Sequence, residues 1–258
     1  MSHQTVPLRI AGTIALVTGA NRGIGRALVD ALLARGAAKV YAAARRPDAL
    51  AELVAAAPGR VVPLELDVTR PDHIRAAAAA APDVRLVVNN AGVVSKFGGE
   101  LTDAAWIAAG REEFEVNVVG VLAVTQAFAP ALAGRPGGAV VNLGSVAGLI
   151  NLPIVATYSA SKAAVHSLTQ AIRSQLRPLG VHVAGVYPGP IDTDMAREFT
   201  VEKTAPAAAA HAILDGVEAG DEEIFPDPFA RHIGELYARS PKGLENQQYA
   251  DSVPVARQ

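Results

Sequence analysis

The stretch TGANRGIG, from Thr18 to Gly25, decides the fold of this chain. It follows an apolar run, Thr13–Thr18, that predicts a buried strand, and it opens a segment, Gly23–Arg35, with the composition of a helix. Glycines let the backbone approach a bound group closely, and the free N–H groups at a helix N-terminus attract phosphate. Strand, turn and helix together therefore predict a binding site for the pyrophosphate of a dinucleotide.

The alternation of strand and helix continues along the chain. The predicted strands after the first are Lys39–Ala44, Val61–Leu66, Val84–Asn89, Ala139–Leu143, Val181–Tyr187 and Glu223–Phe225. The predicted helices after the first are Pro47–Ala57, Pro71–Ala80, a long stretch reaching about Leu132, Tyr158–Arg177, most of Met195–Val217 and Phe229–Arg239. Strands that are apolar throughout are typical of a parallel sheet covered on both faces. We therefore expect an α/β fold with a doubly wound, Rossmann-like parallel sheet.

Length and composition predict one domain over residues 1–258. Half of the 258 residues are hydrophobic, which is enough for a core on both faces of a sheet. Within this domain we expect a cofactor half over about 10–115 and a catalytic and substrate half over about 116–240. Residues 241–258 are expected to form a polar C-terminal tail.

Composition also narrows the class of function. The net charge is −2 without a basic patch, so we expect neither a nucleic acid nor an anionic membrane surface as a partner. The absence of cysteine excludes disulfides and thiolate catalysis, and the spacing of the six histidines suggests no metal site. The apolar runs are interrupted by Gly, Pro or charge, and the first residues lack an apolar signal segment. We expect a cytoplasmic protein.

One tyrosine and one lysine have the spacing that proton transfer requires. Tyr158 and Lys162 stand at i and i+4, which places them on one face of a predicted helix. A free tyrosine has a pKa of about 10 and is a slow acid or base at neutral pH. A neighbouring ammonium favours the phenolate, so we expect Lys162 to lower the pKa of Tyr158.

Two further polar residues belong to the same predicted site. Ser145 follows the strand Ala139–Leu143, where its hydroxyl can hold a substrate oxygen and stabilise developing negative charge. Asn117 interrupts an apolar helical stretch, where an unpaired amide would cost stability.

These motifs resemble those of the short-chain dehydrogenase/reductase family over roughly the first 195 residues. The glycine turn, the NNAG element at Asn89–Gly92, the YSASK segment and the segment Pro188–Thr193 after strand six occur in the order that the family has. The last of these resembles the segment whose backbone and threonine hydroxyl hold the nicotinamide carboxamide. The resemblance implies that Tyr158 is the acid/base, that Lys162 also binds the nicotinamide ribose, and that Ser145 holds the substrate. It implies that Asn117 kinks its helix and holds a water that relays protons from the lysine. The expected substrate is a small carbonyl compound or alcohol.

The resemblance also assigns the residues that bind the cofactor. An amide of the NNAG element is expected to join neighbouring strands. The expected cofactor-binding residues are Gly19, Asn21, Arg22, Gly23, Ile24, Gly25, Arg45, Asp67, Val68, Asn90, Ala91, Gly92, Tyr158, Lys162, Pro188, Gly189, Ile191 and Thr193. Ala44 stands where NAD-specific members carry an aspartate, and Arg45 follows it. Two guanidiniums, Arg22 and Arg45, would clamp a 2′-phosphate, which predicts NADP(H). The alternative is that both are solvated surface arginines.

The sequence says less about substrate and assembly. Pocket walls are expected from Val93–Gly99, Val146–Val155 and Pro190–Thr200, and their apolar side chains favour an uncharged ketone or aldehyde. Lys96 and Arg197 could instead meet an acid group or stay solvated. The Asp-Gly-Gly segment of many relatives is absent. We expect a homo-oligomer, a dimer through the helices beside strands four and five or a tetramer.

Two other functions remain open from the residues alone. The first is a non-catalytic NADP(H)-binding module or sensor on the same fold. The second is a cofactor-free lyase or dehalogenase that uses Ser and Tyr. Consumption of NADPH with a panel of ketones distinguishes all three.

Overall fold

A computed structural model of the chain describes residues 8–133 and 137–252, with side chains to residue 247. Its strands are β1 (Ile14–Thr18), β2 (Lys39–Ala44), β3 (Val61–Glu65), β4 (Leu86–Asn89), β5 (Ala139–Leu143), β6 (His182–Val186) and β7 (Glu223–Ile224). Its α-helices are α1 (Gly23–Ala34), α2 (Ala51–Ala56), α3 (Pro71–Ala80), α4 (Ala105–Phe114), α5 (Gly120–Ala133), α6 (Ala156–Leu176), α7 (Pro206–Ala219), α8 (Pro228–Arg239) and α9 (Pro241–Ser252).

The strands form one parallel sheet in the order β3-β2-β1-β4-β5-β6-β7. The order of the chain reverses between β1 and β4, so their carboxyl ends border the crevice where such sheets bind ligands. The predicted doubly wound parallel sheet is confirmed.

Apolar side chains fill the space on both faces of this sheet. One core cluster joins α1, α2 and α7 to the sheet, with Leu32 and Ile213 among its fully buried members. The other joins α3, α5 and α6, with Phe128 almost fully buried at its centre. The two clusters explain why β1, β2, β4, β5 and β6 are apolar along almost their whole length: each of these strands buries both of its faces, whereas the edge strands β3 and β7 are partly exposed.

Some predicted elements differ in their bounds. The long stretch toward Leu132 is two α-helices joined by a π-helix, Glu115–Val119, and Asn117 lies inside that π-helix. Near its start, the segment Met195–Val217, expected to be mostly helical, has only the single 3-10 turn Asp194–Ala196. The helix α7 starts at Pro206, because proline suits the first turn of a helix.

The expected polar tail, residues 241–258, is helical over most of its described part. Residues Pro241–Ser252 form α9, which begins where the Ser240 hydroxyl accepts a hydrogen bond from the Gly243 N–H at 2.9 Å. Leu244 is buried and attaches the helix to the domain. One apolar side chain among polar neighbours was too weak a signal to predict it, and residues 253–258 lie outside the described part.

The helical run Ala105–Ala133 is long and apolar enough to cross a membrane by length and composition alone. The sequence analysis expected no such run. About 39% of its most apolar window is buried within the domain, where Val124, Phe128 and Leu132 belong to the second core cluster. A core helix passes the same test, so this run is weak evidence for a membrane.

Candidate active site

The carboxyl ends of the strands open onto one cavity of about 1340 Å³. It brings together residues from the glycine turn, the ends of β2 to β6 and the start of α6. Every residue that the sequence analysis assigned to catalysis or to the cofactor lines this cavity, with the exception of Asn117. The predicted residues, spread over 175 positions from Gly19 to Thr193, therefore surround a single space.

The glycine turn forms a cradle that only glycine permits. Gly19 and Gly23 have φ angles of 65° and 54°, in the region that side chains disfavour. A Cβ at Gly25 would collide with the carbonyl oxygen of Gly19. The residue before α1, Arg22, makes no side-chain cap, so the N–H groups of the first turn are available to an anion. This geometry fits a pyrophosphate.

Hydrogen bonds fix the cradle to the end of β4. Asn90 donates through Nδ2 to the carbonyl oxygens of Thr18 and Gly19, at 2.8 and 3.2 Å. The Thr18 hydroxyl accepts from the N–H groups of Asn90 and Ala91, at 3.0 and 2.9 Å. An amide of the NNAG element therefore joins β1 to β4, as the sequence analysis expected.

The end of β2 and β3 carries the charged residues expected near the adenosine. Arg22 and Arg45 are both exposed at the rim, and Arg22 lies 3.6 Å from an oxygen of Asp194. Burial raises the pKa of Asp67, but hydrogen bonds from Thr69 and the charge of Arg45 outweigh it, so this pKa lies below its usual value. The bonds from Thr69 use only Oδ1 of Asp67, so Oδ2 is left for a ligand.

Tyr158 and Lys162 lie together on α6, as their spacing predicts. The Lys162 ammonium is 5.6 Å from the centre of the Tyr158 ring and donates to the carbonyl oxygen of Leu143 at 2.6 Å. Only 5% of Lys162 is exposed, and burial lowers its pKa to about 8. The amine is thus held by one carbonyl and faces the cavity.

The expected lowering of the Tyr158 pKa is not found. Burial raises that pKa to about 12; a hydrogen bond with Ser145 opposes the rise, and the charge of Glu113 adds to it. Desolvation disfavours the phenolate more than the neighbouring groups stabilise it. In the protein alone, Tyr158 is therefore a protonated phenol at neutral pH.

Ser145 begins the 3-10 turn Val146–Gly148. Its hydroxyl accepts from the Ala147 N–H at 3.1 Å and donates to the carbonyl oxygen of Pro188 at 3.4 Å. It also lies near enough to the Tyr158 hydroxyl to oppose the rise in the pKa of that group. The hydroxyl thus lies between the phenol and the segment after β6.

Asn117 is fully buried behind the cavity. Its Oδ1 accepts from the Val93 N–H at 2.9 Å, and its Nδ2 donates to the Val93 carbonyl at 3.0 Å and to the Ser161 hydroxyl at 2.9 Å. A Cβ at Gly92 would lie 3.2 Å from Asn117 Oδ1 and 3.6 Å from Lys162 Nζ, so the two side chains approach each other there. Both N–H groups of the amide are used, and Oδ1 can accept one further hydrogen bond.

Sequence reasoning missed two buried carboxylates. Glu113 is fully buried; its Oε1 accepts from the Ser95 N–H at 2.8 Å, and no partner is found for Oε2. In the sequence, Glu113 looks like its exposed neighbour Glu112. The one feature that sets Glu113 apart is its position four residues before Asn117, on the same face of the helix. Asp227 is 1% exposed and accepts from the Gly189 N–H at 2.8 Å. The Asp-Pro pair at 227 and 228 indicated a helix start and gave no hint of this contact.

The three predicted wall segments all contribute to the cavity. Their apolar members are Val93, Val94, Val146, Ala147, Leu152, Pro153, Ile154, Val155, Pro190, Ile191, Met195, Ala196 and Phe199. Phe199 meets Phe97 edge to face at 5.9 Å between ring centres. Lys96 pairs with Asp103 at 2.8 Å, and Arg197 pairs with Asp194. Among the described residues, no three His, Asp or Glu side chains group as metal ligands.

Comparison with known proteins leads to the same family as the sequence motifs. A model of the short chain dehydrogenase family matches residues 13–204. A galactitol 2-dehydrogenase (L-tagatose-forming) of Cereibacter sphaeroides is 39% identical over 204 residues, which are 76% of this chain and 77% of the relative. A probable galactose dehydrogenase of Rhizobium meliloti is 36% identical over 206 residues, 77% of this chain and 78% of the relative.

Solved structures agree over nearly the whole chain. A short chain dehydrogenase from Burkholderia cenocepacia in complex with NADP is 39% identical, with a TM-score of 0.87 over 96% of this chain and 100% of that one. A short chain dehydrogenase/reductase from Burkholderia phymatum in complex with NAD is 27% identical, with a TM-score of 0.80 over 93% and 96%. The chain belongs to the short-chain dehydrogenase/reductase family and is an oxidoreductase of that family.

Proposed function

We propose that the protein transfers a hydride between NADP(H) and the carbonyl or hydroxyl carbon of a small, mainly apolar ketone, aldehyde or alcohol. The observation that carries this proposal is the contact of Tyr158, Lys162 and Ser145 in the same cavity as the glycine cradle. A dehydrogenase must hold a dinucleotide and an acid/base group within reach of the same substrate carbon. This cavity has the glycine cradle for the dinucleotide and Tyr158 as the acid/base group. Mixing the protein with NADPH and a ketone panel, while following nicotinamide absorbance, tests it.

The rim of the cavity supports NADP(H) over NAD(H). No acidic residue follows Ala44 at the end of β2, and Arg45 and Arg22 both line the space beyond it. The structure at 39% identity contains NADP, and a yeast relative at 34% identity is an NADPH-dependent reductase. The NAD complex comes from a more distant relative at 27% identity.

The geometry supports a role for each residue of the proposed site. The cofactor would supply the hydride and, when oxidised, a positive charge near the phenol. Tyr158 is protonated in the protein alone, so it can give its proton to the oxygen that receives negative charge. Ser145 donates to that oxygen, and Lys162 holds the ribose side and favours the phenolate left behind. Asn117 positions the pocket wall through Val93.

The walls favour an apolar substrate. Val94, Ile154 and Phe199 face the space beside Tyr158 and Ser145. Lys96 and Arg197 are already paired with Asp103 and Asp194, so neither is a ready partner for a substrate carboxylate. Two of the relatives, the galactitol 2-dehydrogenase and the probable galactose dehydrogenase, are named for a sugar alcohol and a sugar, whose hydroxyls would find few polar partners along these walls. We also propose a cytoplasmic location, with which the lack of cysteine is compatible.

A non-catalytic NADP(H)-binding module is the second candidate. It would use the same cradle and the same arginines but would not need the contact between Tyr158 and Ser145. That contact favours the enzyme, and absence of turnover with tight NADPH binding would favour the module.

An exposed apolar face suggests self-association. Ile107, Phe114 and Val119, along the α4–α5 run, are 64%, 41% and 47% exposed. The neighbouring α6 exposes small side chains, among them Ala160 and Ala163, over which a second helix can pack closely. We propose a dimer through this face.

Tyr158→Phe removes the acid without changing the shape of the ring. We expect kcat to fall by roughly a hundredfold or more, while the dissociation constant of NADPH stays within about twofold, because the proton is needed only as the oxygen gains charge. Steady-state kinetics and fluorescence titration measure the two constants. Tyr237→Phe, outside the cavity, is the matched control. More than a tenth of the wild-type activity in the Tyr158 variant would contradict the assignment.

Lys162→Met should stabilise the protein at pH 7. Burial lowers the lysine pKa from 10.5 to about 8, so the folded state disfavours the ammonium relative to the unfolded state. After the lost bond to Leu143 is deducted, we expect the free energy of unfolding to rise by about 1–3 kcal/mol. The gain is full below pH 8 and disappears as the pH approaches 10.5, where the lysine is neutral in both states.

Urea denaturation at several pH values measures this gain. Lys203→Met, at a half-exposed position, is the matched control and should show no pH-dependent gain. Lower stability of the Lys162 variant at pH 7 would show that the buried ammonium is well compensated.

Ala44→Asp combined with Arg45→Ala should invert the cofactor preference. The wild type should prefer NADPH over NADH in kcat/KM by about a hundredfold, since each charged hydrogen bond to phosphate contributes about 1.5–3 kcal/mol before solvent screening. The new carboxylate would accept from the ribose 2′-hydroxyl and repel a phosphate. Arg75→Ala on the exposed face of α3 is the control. A wild type equally fast with NADH would make these arginines ordinary surface residues.

Ile107→Asp should convert the proposed dimer to a monomer. A charge in the middle of an apolar contact stays unpaired when that contact forms, which disfavours association. Sedimentation velocity measures the change, and Leu179→Asp, an apolar site of similar exposure after α6, is the control. A monomeric wild type, or a dimer that both variants retain, would contradict the proposed face.

A further inference from the structure

The segment after β6 is anchored by a residue outside the part that the family model matches. That match ends at residue 204, yet the buried carboxylate of Asp227 accepts from the Gly189 N–H through Oδ2 at 2.8 Å. Its other oxygen, Oδ1, accepts from the Ala230 N–H at 2.8 Å and caps α8. Both oxygens are engaged, and only 1% of the residue is exposed.

The peptide group that Asp227 binds also accepts hydrogen bonds from the turn that carries Ser145. The Gly189 N–H and the Pro188 carbonyl belong to one peptide group. That carbonyl accepts from the Val146 N–H at 3.0 Å and from the Ser145 hydroxyl at 3.4 Å. One peptide unit is thus fixed between the serine turn and Asp227.

The space around Gly189 is closed as well. A Cβ at this position would lie 2.7 Å from Asp227 Oδ1 and 2.8 Å from the ring of Phe229, which lines the cavity. The glycine cannot move toward α8, and its N–H has a charged acceptor at normal hydrogen-bond length.

We propose that Asp227 is a positioning residue for the active site. It fixes the 188–189 peptide and, through the bond that the Pro188 carbonyl accepts from the Val146 N–H, the turn that carries Ser145. A peptide N–H bonded to a carboxylate makes its own carbonyl a better acceptor, which strengthens the bond that the Val146 N–H donates. This inference rests on the proposed function, in which the Pro188–Gly189 segment lies against the nicotinamide.

Asp227→Ser separates this role from helix capping. Serine is a good N-cap and can still accept from the Ala230 N–H, but it is too short to reach the Gly189 N–H as well. Asp227→Ala removes both bonds. Asp221→Ser, at an exposed turn before β7, makes the same change of charge and is the matched control.

The experiment compares NADPH with 2′-phospho-ADP-ribose, which has every part of the cofactor except the nicotinamide. For Asp227→Ser we expect NADPH to bind about tenfold more weakly, the effect of one charged hydrogen bond, while the fragment binds as to the wild type. The melting temperature should stay near that of the wild type, and kcat should fall because the turn that carries Ser145 is held less firmly. Asp227→Ala should melt earlier, and Asp221→Ser should change none of these.

Two outcomes would overturn the inference. Unchanged NADPH binding and kcat in Asp227→Ser would show that the carboxylate only caps α8. Equal weakening of NADPH and the fragment would show a change throughout the fold instead of one at the nicotinamide end. A wild type that binds NADPH no more tightly than the fragment would instead overturn the proposed function, together with the inference that rests on it.

Discussion

The close approach of the end of β1 to the end of β4 is the constraint on which the site depends. Sheet order reverses between these strands, and four hydrogen bonds among Thr18, Gly19, Asn90 and Ala91 hold the gap at one width. Side chains larger than hydrogen at Gly19 or Gly25 would force it open. The glycine cradle and the start of α1 therefore depend on one set of contacts, and a change in one of them would move the other.

Burial desolvates the polar groups of Tyr158 and Lys162, which costs free energy, and it also shifts the pKa values of both groups. Desolvation raises the pKa of Tyr158 and lowers that of Lys162, so each change favours the neutral form of its group. Glu113 places a further carboxylate behind the phenol, with one oxygen unpaired. In the protein alone the phenol therefore keeps its proton, and in the proposed function the charges of Lys162 and of the oxidised cofactor would oppose this desolvation as the proton moves. The two apolar clusters on the faces of the sheet offset the free energy that burial of these polar groups costs.

The fold and most of the site were predictable because their signals are local. Apolar strands, the glycine turn and the i, i+4 pair of Tyr158 and Lys162 are each visible within a few residues. The missed features depend on long-range contacts: Glu113 resembles its exposed neighbour in sequence, and Asp227 meets Gly189 across 38 positions. In the protein without cofactor, the Tyr158 pKa lies above its usual value and not below it, for a related reason. The sequence shows the lysine beside the tyrosine but does not show the burial that opposes it.

The contact of Asp227 with Gly189 suggests how one fold can carry different specificities. The part that the family model matches, residues 13–204, contains the cradle, the serine, the tyrosine and the lysine. The residues after it enter the same cavity through Phe229, which is 45% exposed there, and hold the 188–189 peptide through Asp227. A change in α8 or in the turn before it can therefore alter the nicotinamide end and one substrate wall while leaving the acid/base pair in place. In the proposed function, the first two hundred residues supply the glycine cradle and the acid/base, while the last fifty hold the nicotinamide end through Asp227 and one substrate wall through Phe229.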